Sequence, residues 1–177
     1  MNLPNSITVI RIILVPVFVL FILYHKLEIS FAIFIAAAFT DALDGYLART
    51  LKQKTKLGAF LDPIADKLLV GSAYFCFSLV NDLPQYVRMP IYVPLVVISR
   101  DVLILIGFMI INLLKGEIEV RPTILGKLTT FFQMLTIGAL LTRYVHSNII
   151  WNTMVALTII SGLDYLRIGA KKVNING

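Results

Sequence analysis

Six long apolar stretches alternate with short polar ones along the chain, at residues 7–24, 29–48, 57–80, 91–114, 124–144 and 148–168. The breaks are brief: His25-Lys26-Leu27-Glu28, residues 49–56, 81–90 and 115–123, and Val145-His146-Ser147. Runs of about 20 apolar residues match the hydrocarbon thickness of a bilayer at helical rise. In hydrocarbon a segment must satisfy its own backbone hydrogen bonds, so each stretch is predicted to be an α-helix. Pro16 and Pro94 fall inside two of them and are expected to bend those helices rather than break them. No repeat, low-complexity tract or long linker interrupts the pattern, so residues 1–177 are expected to form a single domain.

Composition turns this pattern into a fold class. The chain of 177 residues is 58% hydrophobic and 15% charged, with a mean hydropathy of +0.86. Soluble domains run at about 45–50% apolar and about 25% charged. Too little polar surface remains to cover a water-soluble globule, and disorder needs the opposite balance. The expected class is an all-α integral membrane protein with six transmembrane helices and no room for a sizeable soluble domain. Cys76 lies in an apolar run, reads as an inert thiol, and implies no disulfide framework. The first stretch contains Arg11 and is followed by no small-residue cleavage site, so it is expected to be a span and not a removed signal.

The net charge of +6 must be placed against the membrane before it is assigned to any partner. With six spans, all sixteen Lys and Arg except Lys26, Arg88 and Arg143 fall on the side of the termini. Such a bias puts both termini in the cytoplasm. The charge then describes a cytoplasmic face suited to anionic headgroups or phosphates, not a nucleic-acid surface.

Five of the ten acidic residues, Asp41, Asp44, Asp62, Asp66 and Asp101, lie inside or at the edge of the second to fourth stretches. An ionised carboxylate within a span costs at least ~2.5–3.5 kcal/mol and marks a functional site by default. Asp41 and Asp44 are three apart, Asp62 and Asp66 four apart, and each spacing puts both side chains on one helix face. A short loop joins the two helices, so an antiparallel hairpin can aim all four at one cavity. Counting from Arg49 and Lys56 at 1.5 Å per residue, Asp41 and Asp66 lie roughly 12 and 15 Å deep, in the cytoplasmic half of the bilayer. Four such groups repel unless a counter-charge is present. Hard oxygen ligands without nitrogen or sulfur favour Mg²⁺ or Mn²⁺, and two ions balance four carboxylates. Two-metal sites stabilise the attacking and leaving oxygens of a phosphoryl displacement. A plainer alternative is that the Asp form structural ion pairs with Arg49 and Lys67.

Around these residues the helix faces stay small. Gly45 and Ala48 permit a close ligand, Gly58 leaves the start of the third stretch unobstructed, and Arg49 can fork onto a phosphate. The full pattern is Asp41-x2-Asp44-Gly45-x2-Ala48-Arg49-x8-Gly58-x3-Asp62-x3-Asp66. It resembles the signature of the CDP-alcohol phosphatidyltransferases, with every signature position occupied. The likeness extends over nearly the whole chain. Leu3-Pro4-Asn5-x2-Thr8-x2-Arg11 is similar to the family's N-terminal segment, and Asp62-Pro63-x-Ala65-Asp66-Lys67 to its third-span core. Ile98-Ser99-Arg100-Asp101 and Gly126-Lys127-x-Thr129-Thr130 resemble segments of its phosphatidylglycerophosphate synthase and eukaryote-type cardiolipin synthase branch.

The resemblance implies that Asp41, Asp44 and Asp62 ligate two Mg²⁺ or Mn²⁺ ions, and that Asp66 completes the metal site and acts as general base. Gly45, Ala48, Arg49 and Gly58 would bind the cytidine diphosphate of CDP-diacylglycerol, with Thr55 beside it and Asn5 and Thr8 closing the pocket. It further implies a homodimer in the bacterial inner membrane, with the active site facing the cytoplasm. The cations Lys67, Arg100, Arg121, Lys127 and Arg167 suit an acceptor that carries its own phosphate. That favours glycerol 3-phosphate, although phosphatidylglycerol, the acceptor of cardiolipin synthase, also carries one. Asp101 stands where bacterial glycerophosphate enzymes often have Glu, which leaves the acceptor open. A divalent-cation channel or transporter is the alternative of another class, but it predicts acidic residues through the whole bilayer and gives Arg49 and Gly58 no role.

Overall fold

The computed structural model describes the backbone of residues 3–50, 56–115 and 123–174, and the side chains of 7–41, 64–107, 109–110 and 123–170. Six α-helices follow one another: α1 (Leu3–Leu23), α2 (Leu27–Thr50), α3 (Lys56–Leu79), α4 (Tyr92–Lys115), α5 (Ile124–Leu141) and α6 (Ser147–Asn174). Each lies within a few residues of the apolar stretch that predicts it. The larger differences are at two ends. Helix α1 begins at Leu3, because Pro4 falls in the first turn, where amides have no helical partner. Helix α6 runs on to Asn174 through Lys171 and Lys172, charged residues of good helix propensity that end a hydropathy pattern but not a helix. Pro16 sits inside α1 as expected. Pro94 does not sit inside a span in that sense: α4 starts at Tyr92, so its missing amide falls in the first turn and no bend is required.

Two tight turns are built alike. At the end of α1 the His25 amide donates to the Ile22 carbonyl and the Lys26 amide to Phe21, both at 2.9 Å. At the end of α5 the Arg143 amide donates to Leu140 at 3.1 Å and the Tyr144 amide to Ala139 at 2.8 Å. Both are Schellman closures, and each needs a left-handed residue, here His25 at φ 57° and Arg143 at φ 58°. The left-handed region costs a residue with a Cβ about 1–2 kcal/mol, partly offset when glycine's greater unfolded freedom is counted. His25→Gly and Arg143→Gly should therefore each stabilise the protein by about 0.5–1 kcal/mol, visible as a melting midpoint raised by about 1–4 °C. A lower midpoint in both variants would show that the strain is not there.

The chain divides into two compact units: Met1–Met89 with Ile137–Tyr144, and Pro90–Thr136 with Val145–Gly177. In the first, α1 packs on both α2 and α3. Its core includes Phe18, Ile22, Phe34, Leu69, Tyr74 and Phe77. The rings of Phe18 and Phe34 lie 6.3 Å apart. The segment after α3 folds back, burying Leu83, Val87 and Met89 and donating the Met89 amide to the Phe77 carbonyl at 3.1 Å. In the second unit α4 packs on α6, with Tyr92 edge-on to Trp151 at 6.2 Å. The Thr129 hydroxyl donates to its own helix at Leu125 (2.8 Å) and approaches the Leu157 carbonyl of α6 at 3.3 Å.

Polarity is inverted relative to a soluble protein. Thr8, Arg11, Ser30, Arg100, Gln133, Thr158 and Ser161 are buried, while Ile10, Ile13 and Leu20 of α1 and Leu95, Val102, Leu105 and Met109 of α4 are exposed. Faces of that kind are costly in water and suit lipid. Among the described residues, α5 (Ile124–Leu141) and the Ser147–Ala170 part of α6 are long and apolar enough to cross a membrane, and the apolar run Ile7–Leu23 of α1 is shorter.

Candidate functional site

The motif residues lie on two helices of the first unit. Helix α2 is unbroken from Leu27 to Thr50, so Asp41, Asp44, Gly45 and Ala48 occupy helix positions spaced three, four and seven apart, a single face. Helix α3, from Lys56 to Leu79, places Gly58, Asp62 and Asp66 at successive intervals of four. Only the backbone is described at Asn5, Asp44, Gly45, Ala48, Arg49, Gly58 and Asp62, and Thr55 and Arg121 lie wholly outside the described residues. Of the quartet, Asp41 and Asp66 are described, and both are part-buried. Ala65 and Leu69, beside Asp66, are fully packed, which anchors that turn of α3.

Helix α1 contributes a residue whose role the sequence did not reveal. Arg11 and Thr8, one turn apart, are each 1% exposed. The Arg11 guanidinium forms an ion pair through Nη1 with Oδ1 of Asp41. The pair is lopsided, since the Asp41 side chain remains 46% exposed. The expected alternative partners for the aspartates were Arg49 and Lys67, chosen by nearness in sequence. The signal for Arg11 was present: a lone cation between Ile10 and Ile12 needs a counter-ion.

The two candidate ligands whose side chains are described, Asp41 and Asp66, offer carboxylate oxygen from helices, a donor type that suits a hard divalent cation, and Asp41 is open on its outer side. Among the described residues no three ligating side chains gather, and Asp44 and Asp62 are not among them.

The second unit carries the candidate cations. Arg100 of α4 is only 9% exposed. Its Nη1 donates to Asp101 at 2.9 Å and its Nη2 to the Ser161 hydroxyl of α6 at 2.8 Å. The guanidinium carbon lies 5.4 Å from the centre of the Tyr165 ring, and the buried Nε has no partner among the described residues. Thr123 caps α5: its hydroxyl accepts from the Gly126 amide at 3.0 Å, the bond expected of a threonine three residues ahead. The Thr123 amide in turn donates to the Tyr165 hydroxyl at 3.2 Å. Arg100, Lys127, Gly126, Thr130 and Tyr165 line a cavity of about 430 Å³ whose remaining walls are Ile104, Phe131 and Met134. Volumes of this order hold small ligands. Arg167 is exposed and does not line the cavity, and Lys67 belongs to the first unit.

Gly126 is at this point a requirement of space. A Cβ there would meet Tyr165 Oη at 2.9 Å, Thr123 Oγ1 at 3.2 Å and Arg100 Nη2 at 3.3 Å. Gly126→Ala should cost about 1–3 kcal/mol of unfolding free energy by overpacking. Tyr165→Phe in the same chain, which removes the struck oxygen, should recover part of it. A Gly126→Ala variant as stable as the parent would show that the contact yields freely. Sequence reasoning singled out Arg100 and Lys127 but not Ser161 or Tyr165, which come from a helix sixty residues on and have no local signature.

Residues 1–160 match the family profile described as CDP-alcohol phosphatidyltransferase. A Mycobacterium tuberculosis protein named probable phosphatidylglycerophosphate synthase is 35% identical, with 93% of this chain and 80% of that one aligned. The Bacillus subtilis protein named CDP-diacylglycerol--glycerol-3-phosphate 3-phosphatidyltransferase is 34% identical over 93% of each chain. A rat protein named cardiolipin synthase (CMP-forming) is 28% identical over 98% of this chain and 63% of its own length. The aspartate pattern on α2 and α3, and this match over most of the length, place the chain in the CDP-alcohol phosphatidyltransferase family.

Proposed function

We infer that the protein transfers the phosphatidyl group of CDP-diacylglycerol to the hydroxyl of glycerol 3-phosphate, giving phosphatidylglycerophosphate and CMP. The observation that carries this reading is the helical register of α2 and α3. It spaces Asp41, Asp44, Gly45 and Ala48 along one face and Gly58, Asp62 and Asp66 along another. Glycerol 3-phosphate is favoured as acceptor because Arg100 and Lys127 line one cavity. The Bacillus subtilis relative that bears the glycerol-3-phosphate name is 34% identical to this chain, against 28% for the rat cardiolipin synthase.

The family is membrane-embedded and generally uses a divalent metal. In this reading the six helices all span the membrane as one domain, both termini are cytoplasmic, and the polar cavity opens to the cytoplasm in the inner half of the bilayer. The cation bias, the buried polar residues and the exposed apolar faces support it. Such a site receives CDP from water while the acyl chains stay in lipid. A homodimer in a bacterial inner membrane completes the reading, on the strength of the family.

Two Mg²⁺ or Mn²⁺ ions, held by Asp41, Asp44, Asp62 and Asp66, would supply neutralisation of the diphosphate and of the charge growing on the leaving group. Arg49 binds a phosphate oxygen, while Gly45, Ala48 and Gly58 let the nucleotide lie against the backbone, with Asn5, Thr8 and Thr55 around it. Asp66 accepts the proton of the acceptor hydroxyl. The acceptor oxygen then bonds to the phosphorus that carries diacylglycerol, the bond from that phosphorus to CMP breaks, and CMP leaves. A single in-line displacement requires no residue to be phosphorylated. Arg100 and Lys127 hold the acceptor's own phosphate, with Lys67, Arg121 and Arg167 adding to the positive field.

The test supplies CDP-diacylglycerol and Mg²⁺ with each acceptor in turn and measures CMP and the lipid formed. CMP released with glycerol 3-phosphate alone supports the assignment. Release with phosphatidylglycerol and not glycerol 3-phosphate would make the protein a cardiolipin synthase, and release with neither would remove the enzyme reading.

A further inference from the structure

We propose that Arg11 is a positioning residue for Asp41: it holds one carboxylate oxygen from within the helix packing and leaves the other for a divalent cation. The proposal rests on the metal assignment above and adds a residue to it. Arg11 stands on α1, which packs against both helices of the aspartate motif. It is 1% exposed, so its guanidinium cannot reorient without unpacking the unit. Nη1 meets Oδ1 of Asp41, thirty residues further on. Asp41 is therefore fixed from outside its own helix, on the one side, while its 46% exposure leaves the other side accessible.

Three consequences follow from that geometry. Asp41 presents its unbonded Oδ2 as the oxygen best placed for a metal, since Oδ1 already accepts from Arg11. The ion pair prevents the carboxylate from turning away when no metal is bound, so less ordering remains to be done on binding. Arg11 also offsets one of the four negative charges, so that two divalent ions leave the site with a positive excess, which suits an incoming diphosphate.

Groups bonded behind a metal ligand typically change metal affinity by about 10–100-fold when removed. The test is a Mn²⁺ titration of the purified full-length chain, reading free Mn²⁺ by electron paramagnetic resonance with no lipid substrate present. Arg11→Gln should weaken Mn²⁺ binding about tenfold or more in protein that remains folded at the titration temperature. Asp41→Asn should weaken it too, and Arg11→Gln added to Asp41→Asn should weaken it no further. Parental affinity in Arg11→Gln, or an equal loss in the Asp41→Asn background, overturns the role of Arg11 while the metal assignment stands. Parental affinity in both Asp41→Asn and Asp44→Asn would instead remove the metal assignment itself. Should Arg11→Gln fail to fold, Arg11→Met decides: it fills the buried space without a charge or a donor, and parental Mn²⁺ binding then overturns the proposal.

Discussion

Replacing Asp66 by Asn is expected to lower CMP release from CDP-diacylglycerol by about 10²–10⁴-fold, the range a general base contributes. Asn keeps the shape and loses both the basic oxygen and the charge that holds a cation. The fold should tolerate it, because Asp66 is half-buried and the packing of its turn is carried by Ala65 and Leu69, which are fully enclosed. The loss should appear in kcat more than in the KM for CDP-diacylglycerol, since proton transfer belongs to the transition state. Asp66→Glu, which retains a base one methylene further out, should recover part of the rate. Turnover within a few-fold of the parent in a folded Asp66→Asn protein would remove the base assignment and leave Asp66 as a structural group.

The helices were legible in the sequence because lipid imposes a simple rule: long apolar runs with short breaks can only be helical. What escaped was set by local chemistry that the apolar pattern does not encode. The turns after α1 and α5 use His25 and Arg143 in the left-handed conformation, where a glycine would have announced them. Pro94 lies in the first turn of α4, which begins at Tyr92, within a residue of where the apolar stretch starts; its nearness to that start, not the boundary itself, is what removes the expected bend. The end of α6 lies past Ile168 because Lys171 and Lys172 favour helix as strongly as they oppose burial.

The candidate site was legible for a different reason. Carboxylates are rare enough in apolar helices that spacing alone points to chemistry, and Asp41, Asp44, Asp62 and Asp66 declare themselves at once. Their partners are harder to find. Arg11 reaches Asp41 across thirty positions, and Arg100 reaches Ser161 across sixty-one. Only packing brings such pairs together. Arg11 reads in sequence as a topology signal and Tyr165 carries no signal at all, yet the first holds a candidate metal ligand and the second faces a buried guanidinium.

Arg100→Gln is expected to raise the KM for glycerol 3-phosphate by about 10–100-fold, the worth of one charged hydrogen bond of about 1.5–3 kcal/mol. Arg100 is nine-tenths buried, is fixed by Asp101 and Ser161, and carries a fixed positive charge in the lining of the cavity, where it attracts a phosphate. The KM for CDP-diacylglycerol should change little, because that substrate is assigned to residues of the first unit. Lys127→Gln should act in the same direction, as it lines the same cavity. Arg167→Gln should stay near the parent, because that side chain is exposed and lies outside the cavity lining. Arg100 also ties α4 to α6, so a loss of packing must be separated from a loss of binding. Ser161→Ala does this: it removes the 2.8 Å bond and keeps the guanidinium, and should raise the same KM less than Arg100→Gln does. If Ser161→Ala and Arg100→Gln lower stability equally and neither moves the KM for glycerol 3-phosphate, the arginine is a structural tie and the acceptor's phosphate is held elsewhere.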